Sequence, residues 1–342
     1  MPIQAISQLV LPLMMNTIDG VSRIEIPTPF PVGSVNCYLI EGSPLTLIDT
    51  GPKTTKALTS IQNALQNFSY ELSDIEQILI THGHLDHIGL AAEFVKERER
   101  VHGSPTEVWI HNKDANALVN YEEHALIYQE SFERLIRTSG VPTNISQKMD
   151  SKRLIEYYMS IREPVPSAHA FENDATFKTG IGDVIAVWVP GHSSGSVCYV
   201  SDEHHIIFSG DHILGNISSN PSISFDSSDK IGMLTYLDSL NCISSRSNYI
   251  ALPGHRNPIY DIKSRIEALR AEYDEKFKRA AESLTSTPKT VYEISRIIYG
   301  DYDITSLVLA LAETHDVLRI LESRNQAQLI EEAGIVHAIR ME

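Results

Sequence analysis

The stretch Thr81-His82-Gly83-His84-Leu85-Asp86-His87 places three imidazoles and one carboxylate within six consecutive positions. These four side chains cannot all face one way on a regular strand or helix, so the stretch is predicted to be a loop wrapped around ions. The apolar residues between positions 75 and 80 predict a buried strand that delivers this loop at its C-terminal end. Imidazole and carboxylate ligands together suit zinc, and also iron or manganese.

Three later segments repeat this arrangement, in which an apolar strand ends at a turn with a glycine before a His or Asp. They are Pro190-Gly191-His192, Gly210-Asp211-His212 and Pro253-Gly254-His255. A glycine lets the backbone turn sharply and approach an ion closely. Four strand ends of this kind favour one shared metal site over four unrelated turn histidines.

In this order the residues resemble the metallo-beta-lactamase superfamily, on its glyoxalase II-like and endoribonuclease-like branch. In proteins of that superfamily, the pattern HxHxDH is followed along the chain by a His, then an Asp and then a second His. The resemblance covers about residues 20 to 260 and implies an α/β fold, an αββα sandwich that holds two metal ions. It implies one ion on His82, His84 and His192, the other on Asp86, His87 and His255, and Asp211 as the bridge. Asp49, which ends an early strand, matches a residue that orients the metal loop.

The chemistry that this resemblance implies is hydrolysis. Two divalent ions about 3.5 to 4 Å apart lower the pKa of a shared water towards 7, which supplies a metal-bound hydroxide at neutral pH. Asp86 is the candidate catalytic residue, because its second oxygen could accept the proton of the attacking water. The expected cofactors are two divalent ions, Zn²⁺ first, with Fe or Mn as alternatives.

The expected substrate is a small ester, thioester or lactone. The basic glutathione-binding pattern of glyoxalase II has no match in the C-terminal part, which argues against that specific substrate. Arg256 stands where a glycine is often found and places a cation beside the last ligand. His212 follows the bridging Asp and could either face the pocket or pack behind it.

A helical insertion is predicted from about residue 112 to residue 162. In this fold such an insertion often lies over the metal pocket, so its aromatic residues could form a lid that selects the substrate. They could equally pack the extra helices against the sandwich. The candidate lid residues are Tyr121, Tyr128 and Tyr158.

Two domains are predicted, a catalytic domain at 1–260 and a C-terminal domain at 261–342. Amphipathic helices are expected over 262–284, after Thr290, and over 306–324, followed by a strand pair around Gly334. This order resembles the small winged-helix module that follows the catalytic domain in endoribonuclease-like relatives. The run Ala312-Glu313-Thr314-His315 matches the third helix of that module.

Charge argues against nucleic acid as a partner. The whole chain carries a formal net charge of −16, and its last 82 residues hold 11 Lys and Arg against 15 Asp and Glu. Such a surface repels phosphate backbones. We therefore expect a small-molecule substrate, and for the C-terminal module a role in packing, in closing one wall of the pocket or in forming a homodimer.

Composition limits the cellular setting. The three cysteines, Cys37, Cys198 and Cys242, have no pairing or metal-binding spacing and are expected to be reduced packing residues of a cytoplasmic protein. The apolar stretch Leu9–Met15 lacks the flanks of a signal peptide and is predicted to be a strand or a packing arm. No apolar run approaches the roughly 18 residues that would span a membrane.

Two alternative functions stay open from the sequence. The C-terminal resemblance favours a metal-dependent endoribonuclease, which the negative charge opposes. An iron-dependent redox or regulatory member of the same fold is the other. The diiron oxygen reductases of the superfamily usually carry Glu for the second His of the motif and append a flavin domain, and neither feature occurs here.

Overall fold

The computed structural model describes residues 16–221, 232–302, 304 and 306–341. The predicted arm Leu9–Met15 lies outside these residues. Two β-sheets pack face to face, and helices cover the outer face of each, which confirms the predicted αββα sandwich. None of the helices in the described ranges combines the length and the apolar character needed to cross a membrane.

The first sheet has seven strands in sequential order. The early strands pair antiparallel, and the strands from β4 onward pair parallel. Its strands are β1 (Asn16–Ile18), β2 (Val21–Ile26), β3 (Val35–Ile40), β4 (Thr46–Ile48), β5 (Gln77–Leu79), β6 (Glu107–His111) and β7 (His169–Phe171). The crossover helices are α1 (Thr55–Asn67), α2 (Leu85–Ile88) and α3 (Ala91–His102), with a 3₁₀ turn at Leu72–Asp74.

The second sheet has five strands in the order β12-β11-β10-β9-β8. They are β8 (Thr176–Thr179), β9 (Gly182–Trp188), β10 (Val197–Ser201), β11 (Ile206–Gly210) and β12 (Ile250–Pro253). Strand β12 joins parallel to β11, while the other pairs are antiparallel. Because β9, β11 and β12 end beside the end of β5, their following turns meet at one edge of the sandwich.

Strands with both faces buried define the layers. In β3, Cys37 and Leu39 pack against the crossover helices, while Tyr38 and Ile40 point into the layer between the sheets. Strand β10 repeats this in the second sheet, where Cys198 packs against the outer helices. The thiols of Cys37 and Cys198 are therefore packing groups as expected, whereas Cys242 is exposed on α8 (Gly232–Ser244).

The region from 112 to 162 is helical, as predicted. It contains α4 (Asn116–Val119), α5 (Tyr121–Thr138), α6 (Thr143–Ser146) and α7 (Ser151–Ser160). The longest of these, α5, buries Phe132 and Ile136 in the core that also covers the second sheet. The insertion therefore packs against the sandwich and against the C-terminal helices.

The C-terminal elements follow the predicted order. They are α9 (Ile262–Ser283), β13 (Lys289–Thr290), α10 (Val291–Tyr299), α11 (Leu307–Ser323), β14 (Ala327–Glu332) and β15 (Ile335–Arg340). Ala333 and Gly334 link the last two strands with φ values of 52° and 78°, as a tight hairpin of this twist requires. Tyr236 of α8, Tyr273 of α9 and Leu311 of α11 share one apolar core. The division at residue 260 and the winged-helix assignment stay predictions.

Candidate metal centre

Four strand ends bring the predicted ligands together at one edge of the sandwich. His82 and His84 follow β5, His192 follows β9, and Asp211 follows β11 directly. His255 follows β12. The convergence of these strand ends places all seven predicted ligands in three overlapping groups, within each of which the ligand atoms lie within 4.8 Å of one another.

The stretch 81–87 differs from the predicted loop in its second half. The helix α2 begins after His84, whose carbonyl accepts hydrogen bonds from the amides of His87 and Ile88 at 2.9 and 3.1 Å. The loop carries His82 and His84, and the helical turn carries Asp86 and His87. In an α-helix consecutive side chains are rotated by about 100° around the axis, so neighbouring residues can approach the centre from different sides.

Three imidazole nitrogens form the first group. The Nε2 atom of His82 lies 3.0 Å from Nδ1 of His84 and 3.2 Å from Nε2 of His192. These rings are buried or nearly so. Three nitrogens facing one point match the protein ligands of a catalytic zinc ion with an open fourth position.

The second group contains Asp86, His87 and His255, with Asp211 beside it. Nε2 of His255 lies 3.3 Å from Oδ2 of Asp86 and 3.4 Å from Oδ2 of Asp211. The same Asp211 oxygen lies 3.6 Å from Nε2 of His192, in the first group. Its other oxygen lies 3.5 Å from Nε2 of His87. The Asp211 carboxylate thus lies between the two groups.

Several of these buried atoms make no hydrogen bond, although oppositely charged groups lie within 4 Å of them. Among the described residues, Nε2 of His87, Nε2 of His255 and Oδ1 of Asp211 are buried without a hydrogen bond. Burying an unsatisfied polar atom is costly, and proteins rarely do so without a ligand or water. The donor set of imidazole and carboxylate fits divalent cations, so these residues could hold such ions.

The outer nitrogens of the same rings are bonded to the protein. Nδ1 of His87 donates to Oδ2 of Asp49 at 2.7 Å, and Nδ1 of His255 donates to the carbonyl of Ser34 at 2.7 Å. Nδ1 of His192 donates to the carbonyl of Ser219. An imidazole that donates from Nδ1 presents a lone pair at Nε2, so these bonds aim the rings at the centre.

Asp49 supports the metal loop from the end of β4. Its carboxylate accepts hydrogen bonds from the amide and the hydroxyl of Thr81, both at 2.8 Å, in addition to the bond from His87. Its φ of 57° lies in the left-handed region, which is strained for a residue with a side chain. The residue is buried, so one carboxylate fixes both ends of the ligand stretch.

Asp114 was not predicted from the sequence, and it joins the two loops of the first group. Its Oδ2 accepts hydrogen bonds from the amide of Gly83 at 2.8 Å and the hydroxyl of Ser193 at 2.6 Å. Its Oδ1 accepts one from the amide of Gly195 at 2.7 Å. The available signal was its position after β6, since β6 lies parallel to β5 and ends at the same edge.

Burial and neighbouring charges set the ionisation of the first group. Burial lowers the pKa of His82 far below its usual value, and it lowers that of His84 to about 3. The pKa of His192 is lowered by burial as well, although Asp211 opposes this. These three rings are therefore neutral at physiological pH, which is the form that binds a metal ion.

The second group is ionised. Burial raises the pKa of the Asp86 and Asp211 carboxyls, but His87 and His255 outweigh it and hold both below the usual range. Burial likewise lowers the pKa of His87 and His255, and the surrounding carboxylates reverse this to about 9 and about 11. A divalent ion would therefore displace protons from these two rings on binding.

The predicted residues His212, Tyr121, Tyr128 and Tyr158 have different surroundings. His212 is buried and its ring packs against that of Tyr236, with centroids 5.4 Å apart. Tyr158 contacts Tyr128 at 5.8 Å and Phe30, in the β2–β3 loop, at 6.3 Å. Tyr121 instead packs under the Arg162 guanidinium, 5.3 Å away. The insertion thus reaches the β2–β3 loop through Tyr158.

Two proteins with similar sequences are named as hydrolases. The probable metallo-hydrolase YqjP of Bacillus subtilis (strain 168) is 28% identical over 333 residues, which cover 94% of this chain and 98% of that protein. The thioesterase pkgB of Emericella nidulans is 23% identical over 263 residues, which cover 75% of this chain and 57% of that protein.

Solved structures show the same fold. A metallo-beta-lactamase family protein of Thermus thermophilus superposes with a TM-score of 0.81 at 22% identity, over 94% of this chain and 99% of that one. A beta-lactamase domain protein of Burkholderia ambifaria superposes with a TM-score of 0.77 at 20% identity, over 96% and 94% of the two chains. The family model of the metallo-beta-lactamase superfamily matches residues 30–255, the segment that holds the predicted ligands. The chain therefore belongs to the metallo-beta-lactamase superfamily.

Proposed function

We propose that this protein is a dinuclear metal-dependent hydrolase that acts on a small thioester, ester or lactone, with Zn²⁺ as its resident metal. That it is a hydrolase accords with the metallo-hydrolase and thioesterase names of its relatives. The observation that carries the dinuclear proposal is the placement of the Asp211 carboxylate, whose oxygens lie 3.4 to 3.6 Å from Nε2 of His192 in the first group and of His87 and His255 in the second. Thioesters come first because fungal relatives such as pkgB of Emericella nidulans are named thioesterases.

The chain's own residues would prepare hydrolysis in three ways. When bound, divalent ions lower the pKa of water and polarise a carbonyl oxygen. In the metal-free protein His87 and His255 hold the pKa of Asp86 below the usual range, and bound divalent ions would favour its charged form in their place. Asp86 can therefore accept a proton from the attacking water. Asp49 and Asp114 hold the loops that carry the candidate ligands. Tyr158 of α7 contacts Phe30 of the β2–β3 loop, and this contact is the candidate lid over the substrate site.

A substrate panel tests the proposed function. The zinc-loaded protein would be assayed with S-acetyl-N-acetylcysteamine, a phenyl ester, a lactone and a single-stranded RNA. We expect hydrolysis in the first three classes, loss of activity with a chelator and recovery on adding a divalent ion. Asp86→Asn, assayed after it has been loaded with divalent ion to the wild-type content, should lower kcat by roughly 10²-fold or more. Cleavage of RNA with no turnover of the other substrates would overturn the proposal.

A further inference from the structure

A polar cavity of about 690 Å³ lies against the segment that follows His255, the last predicted metal ligand. Ser34 lines it, and the carbonyl of that residue accepts the Nδ1 hydrogen bond of His255 at 2.7 Å. Asn36, on the same wall, donates to the carbonyls of Pro253 and Arg256 on either side of His255, at 2.9 and 2.8 Å. The cavity and the last metal ligand therefore share one wall.

The cavity has a positive lining in a strongly acidic protein. Arg23 and Arg256 line it together with one carboxylate, Glu25, and the other lining residues are uncharged. The chain as a whole carries a formal net charge of −16. Glu25 is half exposed and lies 3.8 Å from the nearest Arg23 nitrogen, which is the outer limit of an ion pair. Water screens such a pair, so it neutralises Arg23 only weakly.

Arg23 is buried and incompletely satisfied. It is 6% exposed, and its Nε has no hydrogen-bond partner within the described part of the chain. Its Nη1 donates to the carbonyl of Arg256 at 3.1 Å. A buried guanidinium with a free donor favours an anionic partner, because an unpaired buried charge is costly.

Arg256 occupies a backbone position that suits glycine. Its φ is 69°, in the left-handed region where a side chain causes strain. Its guanidinium lies over Gly33, with Nη1 3.6 Å from where a Cβ of that glycine would be. Across the described ranges, no side-chain hydrogen bond or ion pair involves this guanidinium. The side chain thus contributes nothing to the fold that would offset the strain, which points to a role in binding.

We propose that this cavity binds an anionic group of the substrate, a carboxylate or a phosphate, while the scissile carbonyl lies at the metal centre. The proposal rests on the proposed function and narrows its substrate class to esters or thioesters with a negative group beyond the reacting carbonyl. Both anions match the planar donor fork of a guanidinium. Arg256 binds the anion from the cavity mouth and Arg23 from its wall.

Two matched substrate pairs test the proposal and separate the two anions. One pair is S-acetylpantetheine and its 4′-phosphate, and the other is S-acetyl-3-mercaptopropionate and its methyl ester. We expect the protein to favour the charged member of at least one pair through a lower KM. Arg256→Gly should reduce that preference about tenfold or more, because it removes a charge-assisted contact. Arg256→Lys should retain part of the preference.

The Arg256→Gly variant also separates binding from folding. Glycine adopts this φ without strain, so Tm should not fall, and Lys278→Gln provides a charge-matched control on the exposed face of α9. No charge preference in the wild-type protein, or an unchanged preference in Arg256→Gly, would overturn the anion site.

Direct binding keeps this test independent of turnover. Calorimetry with inorganic phosphate should show about tenfold weaker binding to metal-loaded Arg256→Gly than to the metal-loaded wild-type protein. Both proteins keep the same metal ligands, so phosphate held at the metal cancels in the comparison. If no thioester is hydrolysed but this difference appears, the proposed function fails and the anion site stands. Equal phosphate affinities would contradict the anion site itself.

Discussion

Asp49 and Asp114 each hold a different part of the stretch from Thr81 to His87 by hydrogen bonds. Asp49 bonds Thr81 and His87, while Asp114 bonds Gly83 and the His192 loop through Ser193. Each buried carboxylate accepts three hydrogen bonds. It thereby fixes the position of the candidate ligands without contacting the atoms that would bind the ions. Replacing such a supporting residue typically lowers metal affinity or activity by about 10- to 100-fold.

Asp114→Asn should weaken metal binding by about 10- to 100-fold. An amide can still accept one hydrogen bond from Gly195, but its NH₂ group would then face the amide of Gly83 and repel it. Competition with a chromogenic chelator measures the affinity. Asp183→Asn, on the exposed face of β9, is the matched control. Equal metal affinity in wild-type and Asp114→Asn proteins would remove Asp114 from the account.

The sequence predicted the candidate ligands but not all of the residues that support them. Imidazoles and carboxylates beside glycine turns form a pattern that can be recognised in the sequence. All seven residues predicted from it lie together in the structure. Asp114 has no glycine before it, and it bonds to two backbone amides and a hydroxyl. Those partners are distant in sequence and are brought together only by the packing of β5, β6 and β9, so no local pattern could reveal them.

At the scale of elements, the insertion meets the metal side of the fold through α7. Tyr158 contacts both Phe30 and Tyr128, and the nearby Asp86 carboxylate contributes, after burial, to a raised Tyr158 pKa. Tyr121, at the start of α5, contacts Arg162 instead. We therefore expect different effects from removing the ring of Tyr158 and from removing the ring of Tyr121.

Tyr158→Ala should change KM or substrate preference by about fivefold or more and leave metal content intact, as expected for a residue that binds rather than catalyses. Tyr121→Ala should instead lower the free energy of unfolding by roughly 1 to 2 kcal/mol through the lost contact with Arg162. Steady-state kinetics and urea denaturation measure the two effects. If both variants lose only stability, the rings are core packing and the lid hypothesis is wrong.

Helix α11 carries a buried charge that reaches the metal centre indirectly. Glu313 is 2% exposed, and it accepts hydrogen bonds from Lys276 at 2.8 Å and from Tyr299 at 2.5 Å. Ser218 donates to the same carboxylate at 3.4 Å. The next residue, Ser219, holds the outer nitrogen of His192. Glu313, in the run 312–315 singled out from the sequence, is thus linked to the candidate ligand His192 through two neighbouring serines.

Glu313→Gln should destabilise the fold by roughly 3 to 5 kcal/mol, because it leaves the Lys276 ammonium without its buried partner. Urea denaturation measures this loss, and metal affinity should fall with it. Glu331→Gln, exposed on β14, is the control and should change neither quantity. A loss below about 0.5 kcal/mol would show that Glu313 is not a structural support.

Elements with strong periodicity or clear caps were predictable within a few residues. Thr290 caps α10 with Glu293 in a capping box, and α11 begins and ends within one residue of its predicted bounds. Strands β1, β7, β8, β10 and β13 were not predicted, because two to five residues carry too little alternation to identify a strand. Pairing with neighbouring strands defines them, and that information is tertiary.

For the whole molecule, net charge limits the choice of partner. The formal charge of −16 and the acidic C-terminal part predict weak RNA binding at physiological salt. Fluorescence anisotropy with a labelled single-stranded RNA should give a Kd above about 10 µM. Submicromolar affinity with a steep dependence on salt would contradict this and would favour the endoribonuclease alternative.

The core also bears on how the C-terminal part functions. Apolar residues of α5, α8, α9 and α11 form one continuous cluster on the outer face of the second sheet. The C-terminal helices therefore pack on the catalytic sandwich as part of its helical layer. This accords with the expected packing role, and homodimer formation stays a prediction.

We propose that Asp211 lies between two cation sites in one subunit. The decisive measurement is the metal content of carefully prepared wild-type protein, determined by elemental analysis with mass spectrometry in buffer free of chelators. Seven candidate ligands exceed the three or four that a single ion needs, so we expect two divalent ions per chain. A content of one ion or none would contradict the dinuclear centre.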